Sequence, residues 1–507
     1  MGTFFQDLRF GLRMLAKSPR FTMLAVLTLA LGIGANSTIF SWISGTLLDP
    51  IPGASRTNGL VEVTRGTAGK AVPISYPDFL DLRRHNRSFS GMIAYSIWPV
   101  DMTGTGKPQR VWAMMVSANY FHFLGVPPAR GRGFLTGEDK ASGIAPVAVI
   151  SYRLWQRNFG GQRSVIGQTL DINRHPYTVV GVAPSAFQGT ESGLRSDLYV
   201  PLTMAAQIDP SEGQELITDR DAGWILGMGR LKPGVTRNQA QASIDVLYRE
   251  IAKLYPDSHK GEIAITLSPL WRAPFGANYY LHTVLFLLMA IAGMVLLLAC
   301  ANEANLLLVR SVMRRREMAI RLSLGATRWR LFRQLVVESL LLALCGGGVA
   351  MLVTLWTAAS LPYFIPPADV PISMAIHAGG AVLLATLAIS VLAVAIFGVL
   401  PALRASKLHP AAVLKEESGT ASGGRSKARL SSTLVVAQIA LSFLLLVCAG
   451  LFIRSFGRAL RFDPGFNPSH VLLMSFDLSG VDYNQERGIQ FDRHLLAKVE
   501  ALPGLQS

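Results

Sequence analysis

Residues 21–48 read FTMLAVLTLALGIGANSTIFSWISGTLL, and no charged residue interrupts them. A helix crosses the hydrocarbon core of a bilayer with roughly 20 apolar residues, so this run is long enough to span one. Ser18 and Pro19 stand just before it, as a cap and a first helical residue would. A cleaved signal peptide is the competing reading. The length of the run and the lack of a clear Ala-x-Ala site favour a retained span.

Four further runs follow the same logic. Residues 281–309 are broken only by Glu303; residues 334–360, 377–403 and 430–453 complete the set, with Pro362, Pro366 and Pro367 between the third and fourth. Half the chain is hydrophobic and 16% is charged, too apolar a mix for an ordinary soluble enzyme. The expected fold class is therefore an integral membrane α-helical protein with five transmembrane helices and a large α+β exoplasmic domain.

The net charge of +16 is concentrated rather than spread. Residues 1–20, 310–333 and 404–429 carry +3, +7 and +4, which is +14 of that excess, and each abuts an apolar run. A nucleic-acid binder displays its basic residues over a folded face, whereas loops beside membrane spans concentrate them for orientation. No nucleic acid is expected as a partner; the lipid bilayer is. The three basic segments are expected in the cytoplasm, and the loop 361–376, which has no Lys or Arg, outside. Parity then puts residues 49–280 and the chain after about 457 outside, with Arg454, Arg458 and Arg461 a mild violation. Within residues 1–20, Phe5, Leu8, Leu12 and Leu15 share a helical face away from Arg9, Arg13 and Lys17, the pattern of a helix lying in the interface.

The stretch 49–280 is mixed in composition and free of cysteine; Cys300, Cys345 and Cys448 all lie in apolar runs. Leu60 to Thr64 alternates like a strand, Pro77 to His85 reads as a short helix, and Ile225 to Leu231 as a strand entering a Lys232-Pro233-Gly234 turn. Thr236 with Gln239 forms a capping box, and Ala240, Ile244, Leu247, Ile251 and Leu254 follow at helical spacing before a strand at 263–267. Two subdomains are expected, one made of 49–110 and 221–280, the other of the inserted residues 111–220. His85, His122, His175 and His259 have no metal-ligand spacing, and Gly69-Lys70 and Gly106-Lys107 lack the Ser or Thr of a P-loop. Neither a catalytic residue, a metal nor a cofactor is assigned, and any ATPase is expected on another chain.

Several segments resemble the MacB/FtsX permease family of ABC transporters, in particular its long, duplicated orphan members common in acidobacteria. They are Leu27–Asn36; Ser75-Tyr76-Pro77-Asp78-Phe79; Ser117–Phe121 with Leu124-Gly125-Val126; Val147–Trp155; Ile166-Gly167; Thr178–Pro184; and, most specifically, Arg315-Arg316-Glu317-Met318-Ala319-Ile320-Arg321 continuing to Ala326. The resemblance implies a MacB-like periplasmic core domain, inner-membrane location and a coupling helix that docks on an ATPase subunit in trans. Carried onto this chain, that helix includes Arg316, Glu317, Met318, Ile320, Arg321, Leu324, Gly325 and Ala326. It also implies mechanotransmission, in which ATP binding inside moves the outer domain. Partner readings left open are a homodimer, a second permease half and a periplasmic adaptor.

Three polar residues inside the second span, Asn302, Glu303 and Asn305, are intramembrane candidates, since a carboxylate at membrane depth is costly. Gly346–Gly348 and Gly32 with Gly34 are expected to let helices approach closely. Residues 457–507 resemble the start of a second outer domain, with a strand at 471–477 and a helix at 484–501, so the chain reads as truncated after the fifth helix. An FtsX-like regulator of periplasmic partners and a membrane-anchored receptor are the alternatives to a permease.

Overall fold

The computed structural model describes residues 2–49, 51–67, 70–104, 108–191, 193–210, 212–259, 264–313, 320–324, 327–360, 380–399, 424–461 and 485–502. It divides into two compact units, one resting mainly on residues 1–45 and 281–471, the other mainly on 46–280 with 472–507. The expected loop 361–376 and the strand 471–477 lie outside the described residues.

The chain starts with α1 (Gly2–Lys17) and α2 (Pro19–Ile43), which runs on as a π-helical turn to Leu48. The outer unit then contributes twelve strands to one sheet. In chain order they are β1 (Leu60–Thr67), β2 (Lys70–Val72), β3 (Ile74–Ser75), β4 (Phe89–Thr103), β5 (Gln109–Val116), β6 (Arg130–Gly131), β7 (Val147–Ile150), β8 (Thr169–Ile172), β9 (His175–Val182), β10 (Leu198–Pro201), β11 (Gly223–Leu231) and β12 (Ile265–Pro269). Between them lie α3 (Tyr76–His85), α4 (Tyr120–Leu124), α5 (Tyr152–Phe159), α6 (Ala205–Ile208), α7 (Gly213–Thr218) and α8 (Arg237–Leu254).

The main path of the sheet is β12-β1-β11-β4-β5-β10-β7-β9-β6. Strands from the two ends of the segment thus sit together at one edge, and those of residues 111–220 continue the same ladder rather than starting another. β10 pairs β5 in parallel and β7 pairs β9 in parallel; the remaining pairs are antiparallel.

Both faces of the sheet are covered. Along β4, Met92 and Ala94 join one apolar cluster with Phe79, Ile244 and Tyr248, while Ile93 and Tyr95 join a second with Tyr120, Phe187 and Tyr199. Burying a large apolar side chain contributes about 1.5–3 kcal/mol, so two populated faces give the unit a core without disulfides. Two caps fix the flanking helices. Ser75 accepts from the Asp78 amide at the start of α3, and Thr236 and Gln239 form the reciprocal box that opens α8.

After β12 come α9 (Ala277–Met313), α10 (Arg328–Ser360), α11 (Gly380–Ala393), α12 (Gly424–Leu460) and α13 (Gln485–Glu500). Among the described residues, four helical segments, 19–48, 278–310, 328–357 and 435–458, are long and apolar enough to cross a bilayer, and 380–396 is a shorter apolar helix. Helices α9, α10 and α12 run past the apolar runs into the basic flanks, because Arg and Lys are good helix formers whose stems can snorkel.

Small residues set the packing of the membrane unit. A Cβ on Gly346 of α10 would stand 2.9 Å from the Leu29 side chain of α2, and one on Gly32 would stand 3.0 Å from Ala299 of α9. Asn36 donates to the Gly32 carbonyl of its own helix and to the Ala292 carbonyl of α9 at 2.7 Å, which welds α2 to α9. Among the α1 residues whose side chains are described, Asp7, Gly11 and Leu15 are buried, spaced one helical turn apart, whereas Leu12 is exposed. Asp7 bonds Arg333 of α10 at 2.6 and 2.7 Å and Gly11 sits against Leu341.

Candidate coupling segment and intramembrane polar sites

Of the coupling residues, Arg316, Glu317, Met318, Gly325 and Ala326 lie outside the described residues. Ile320, Arg321 and Leu324 are described. Residues 320–323 are helical, and Ile320 and Leu324, four apart and so on one face, are 49% and 82% exposed. Arg321 is held beneath them: its guanidinium lies 5.2 Å from the Phe10 ring centroid of α1 and donates to Gln334 of α10 at 3.4 Å. Trp329, stacked on Phe332 and 67% exposed, adds an aromatic surface that the sequence reading did not single out. Its signal was present: the amphipathic, basic pattern continues beyond Gly325.

The intramembrane candidates separate. Glu303 is fully buried, and neither carboxylate oxygen has a hydrogen-bond partner among the described residues. Asn302 is half-buried. Asn305 donates to Gln438 of α12 at 3.2 Å, the kind of interhelical bond its position suggested. Arg310, one of the basic residues of the 310–333 segment, points back into the helices. It pairs with Glu338 of α10 at 3.0 Å, donates to Ser18 at 2.8 Å and lies over the Phe21 ring. Glu338, 3% exposed within the third span, is a further intramembrane carboxylate beyond the three candidates of the second span. A carboxylate inside an apolar run was the available signal.

In the outer unit, a polar network ties α3 to the far end of the segment. Arg220 bridges Asp78 and Asp81 at 2.6 and 2.7 Å and stacks on Tyr255, while His259 bonds Asp78 at 3.1 Å. The other ring nitrogen of His259 faces the Tyr255 carbonyl at 2.8 Å, so both nitrogens are engaged and neither is turned to a substrate. The network is a brace. Among the described residues, no group of three His, Cys, Asp or Glu side chains could hold a metal ion.

Apolar helices of membrane-spanning length together with a separate α+β unit define a membrane protein with an exoplasmic domain. Comparison with known proteins names the kind. The MacB-like periplasmic core domain matches residues 22–247, and the FtsX-like permease C-terminal domain matches residues 289–410. The chain belongs to the MacB/FtsX type of ABC transporter permease. It is 28% identical over 60% of its length to the pyoverdine export ATP-binding/permease protein PvdT of Pseudomonas syringae pv. tomato, and spans 43% of that protein. It is 27% identical over 60% of its length to the ABC transporter permease YknZ of Bacillus subtilis, of which it covers 69%. The crystal structure of the periplasmic region of MacB from Actinobacillus actinomycetemcomitans aligns with 46% of this chain and 94% of that one, at 13% identity and a TM-score of 0.31.

Proposed function

We propose that this chain is a permease subunit that couples ATP binding and hydrolysis on a separate ATPase to motion of its outer domain, acting on an amphipathic substrate. The observation that carries the reading is the exposed apolar pair Ile320 and Leu324, set in a basic segment between two spanning helices. An exposed apolar pair rimmed by charge supports a docking surface over a solvated loop. In topology terms the N-terminus and residues 310–333 face the cytoplasm, and residues 49–280 with the C-terminal tail face the periplasm across the inner membrane. The Arg-rich flanks support this orientation. A second permease half or a second copy of the chain, and a periplasmic adaptor, are the further partners this reading allows.

The test is co-purification with an ATPase subunit. Wild type retains it, while Leu324→Asp, Glu317→Arg and Gly325→Pro lose it with the outer domain still folded. Retention by all three variants sinks the coupling assignment and leaves a receptor as the better reading. Orientation is checked separately: Ser55→Cys should react with an impermeant maleimide in intact cells, and Ser323→Cys only after permeabilisation.

A further inference from the structure

Glu62 stands in the middle of β1, opposite Ser268 of β12 and Met228 of β11. It is 2% exposed, and its Oε1 has no hydrogen-bond partner among the described residues. The side chain lines a cavity of about 20 Å³, to which Glu191 and Thr190 of the loop before β10 and Tyr95 of β4 also contribute. That volume holds one group the size of a water molecule.

The lining contains two carboxyls and no Lys, Arg or His. Buried carboxylates are paired or neutralised, and among the described residues the lining supplies no base. Burial and the neighbouring Glu191 push the Glu62 carboxyl up to about 8, and burial pushes Glu191 up to about 7. Tyr95, also facing the pair, is held well above its ordinary range by burial and by both carboxylates. The rest of the wall is made of apolar side chains, Met228, Leu270 and Phe275 among them, with Asn278 adding one amide. Leu270 and Phe275 are only half-buried, so this apolar side reaches the surface. Only two carboxyls and no His or Cys line the cavity, and among the described residues no group of three such side chains could hold a metal ion. Convergent polar groups set beside apolar side chains suit an organic ligand that carries a charged head and a hydrocarbon part.

We propose that this cavity binds an organic ammonium ion, its charged head taken by Glu62 and Glu191 and its hydrocarbon part lying against Leu270 and Phe275. The ammonium supplies the cation that the lining lacks, and its N–H groups meet the unpartnered Glu62 oxygen. The inference concerns the outer domain alone and stands whether or not an ATPase docks on the chain.

The test uses the full chain in detergent at pH 8.5, with thermal unfolding read against n-butylammonium chloride, n-butanol, sodium chloride and calcium chloride. Wild type should show a saturable rise in melting temperature with butylammonium and none with butanol or matched sodium chloride. Glu62→Gln and Glu191→Gln should each weaken the apparent affinity at least tenfold while keeping one cooperative transition. Should either variant fail to fold, isothermal titration of wild type decides, with one butylammonium site per chain expected. No saturable response, an equal response in both Gln variants, or a larger response to calcium would each overturn the proposal.

Discussion

Asp78 shows how much one side chain can hold together. It is fully buried, and its two oxygens take Arg220 at 2.6 Å and His259 at 3.1 Å. Removing one partner of a buried ion pair costs about 3–5 kcal/mol, because the other charge is stranded. Asp78→Ala should therefore speed hydrogen exchange across α3 and α8 in the full chain while leaving the α2 and α10 amides unchanged. Uniform protection would show that the brace is dispensable. Glu62 makes the opposite case. Its folded carboxyl lies near 8 and that of Glu191 near 7, against 4.5 for the free group. The folded state thus holds protons that the unfolded chain releases, so this contribution is complete below about 4.5 and is lost as pH rises through 7 and 8. The melting temperature of the outer domain should fall between pH 6 and 9. Glu62→Gln, relieved of a cost on the order of a few kcal/mol, should flatten that fall and melt higher than wild type at pH 8.5.

Elements with a local signature were legible. The capping box at Thr236 and Gln239, the helix after Ser75 and the strand at Leu60 all appear where their residue types put them, since each depends on neighbours in sequence. The burial of Glu62 and Thr64 was not legible. Their alternation with Val61 and Val63 marks two faces, but only the tertiary cluster behind them reveals that both faces are covered. Glycine spacing in the spans was read as close packing, and Gly346 gives that reading a measurable form. Gly346→Val would place a methyl-bearing carbon 2.9 Å from Leu29 of α2. Overpacking of this kind costs about 1–3 kcal/mol, so the variant should separate α2 from α10 and lower the melting temperature of the detergent-solubilised chain. Cross-linking between cysteines placed on the two helices would report the separation, and undiminished cross-linking would count against tight packing there.

At the scale of the molecule, loop charge and hydrophobic runs were enough to foresee spans with an outer domain between the first two. They could not foresee that strands from residues 111–220 extend the same ladder as the ends, because sheet order is fixed by pairing between distant segments. Nor could they place Arg310. Its position at the edge of a basic cluster suggests an orientation signal, while its contacts with Glu338, Ser18 and Phe21 join α9, α10 and the start of α2. Arg310→Gln should loosen that junction and leave Glu338 buried without its cation, giving lower yield of folded chain. Arg310→Gln with Glu338→Gln should recover part of the loss, and failure of the double variant to recover would mean that the pair is not the point of coupling.

The chain enters the outer unit ahead of β1 and leaves it behind β12, and those two strands are antiparallel neighbours, with Val61 opposite Pro269 at the shared end and Arg65 opposite Ile265 at the other. A load drawing the two connections apart would therefore act across the ladder rather than along it. Its rungs would open one after another from Val61 and Pro269 inward, as a zip fastener opens, instead of resisting together. The seam can give way in small reversible steps while the strands beyond β11 stay in register. In a single-molecule pulling experiment, handles at residues 46 and 280 should find a softer domain than handles placed along the axis of a single strand.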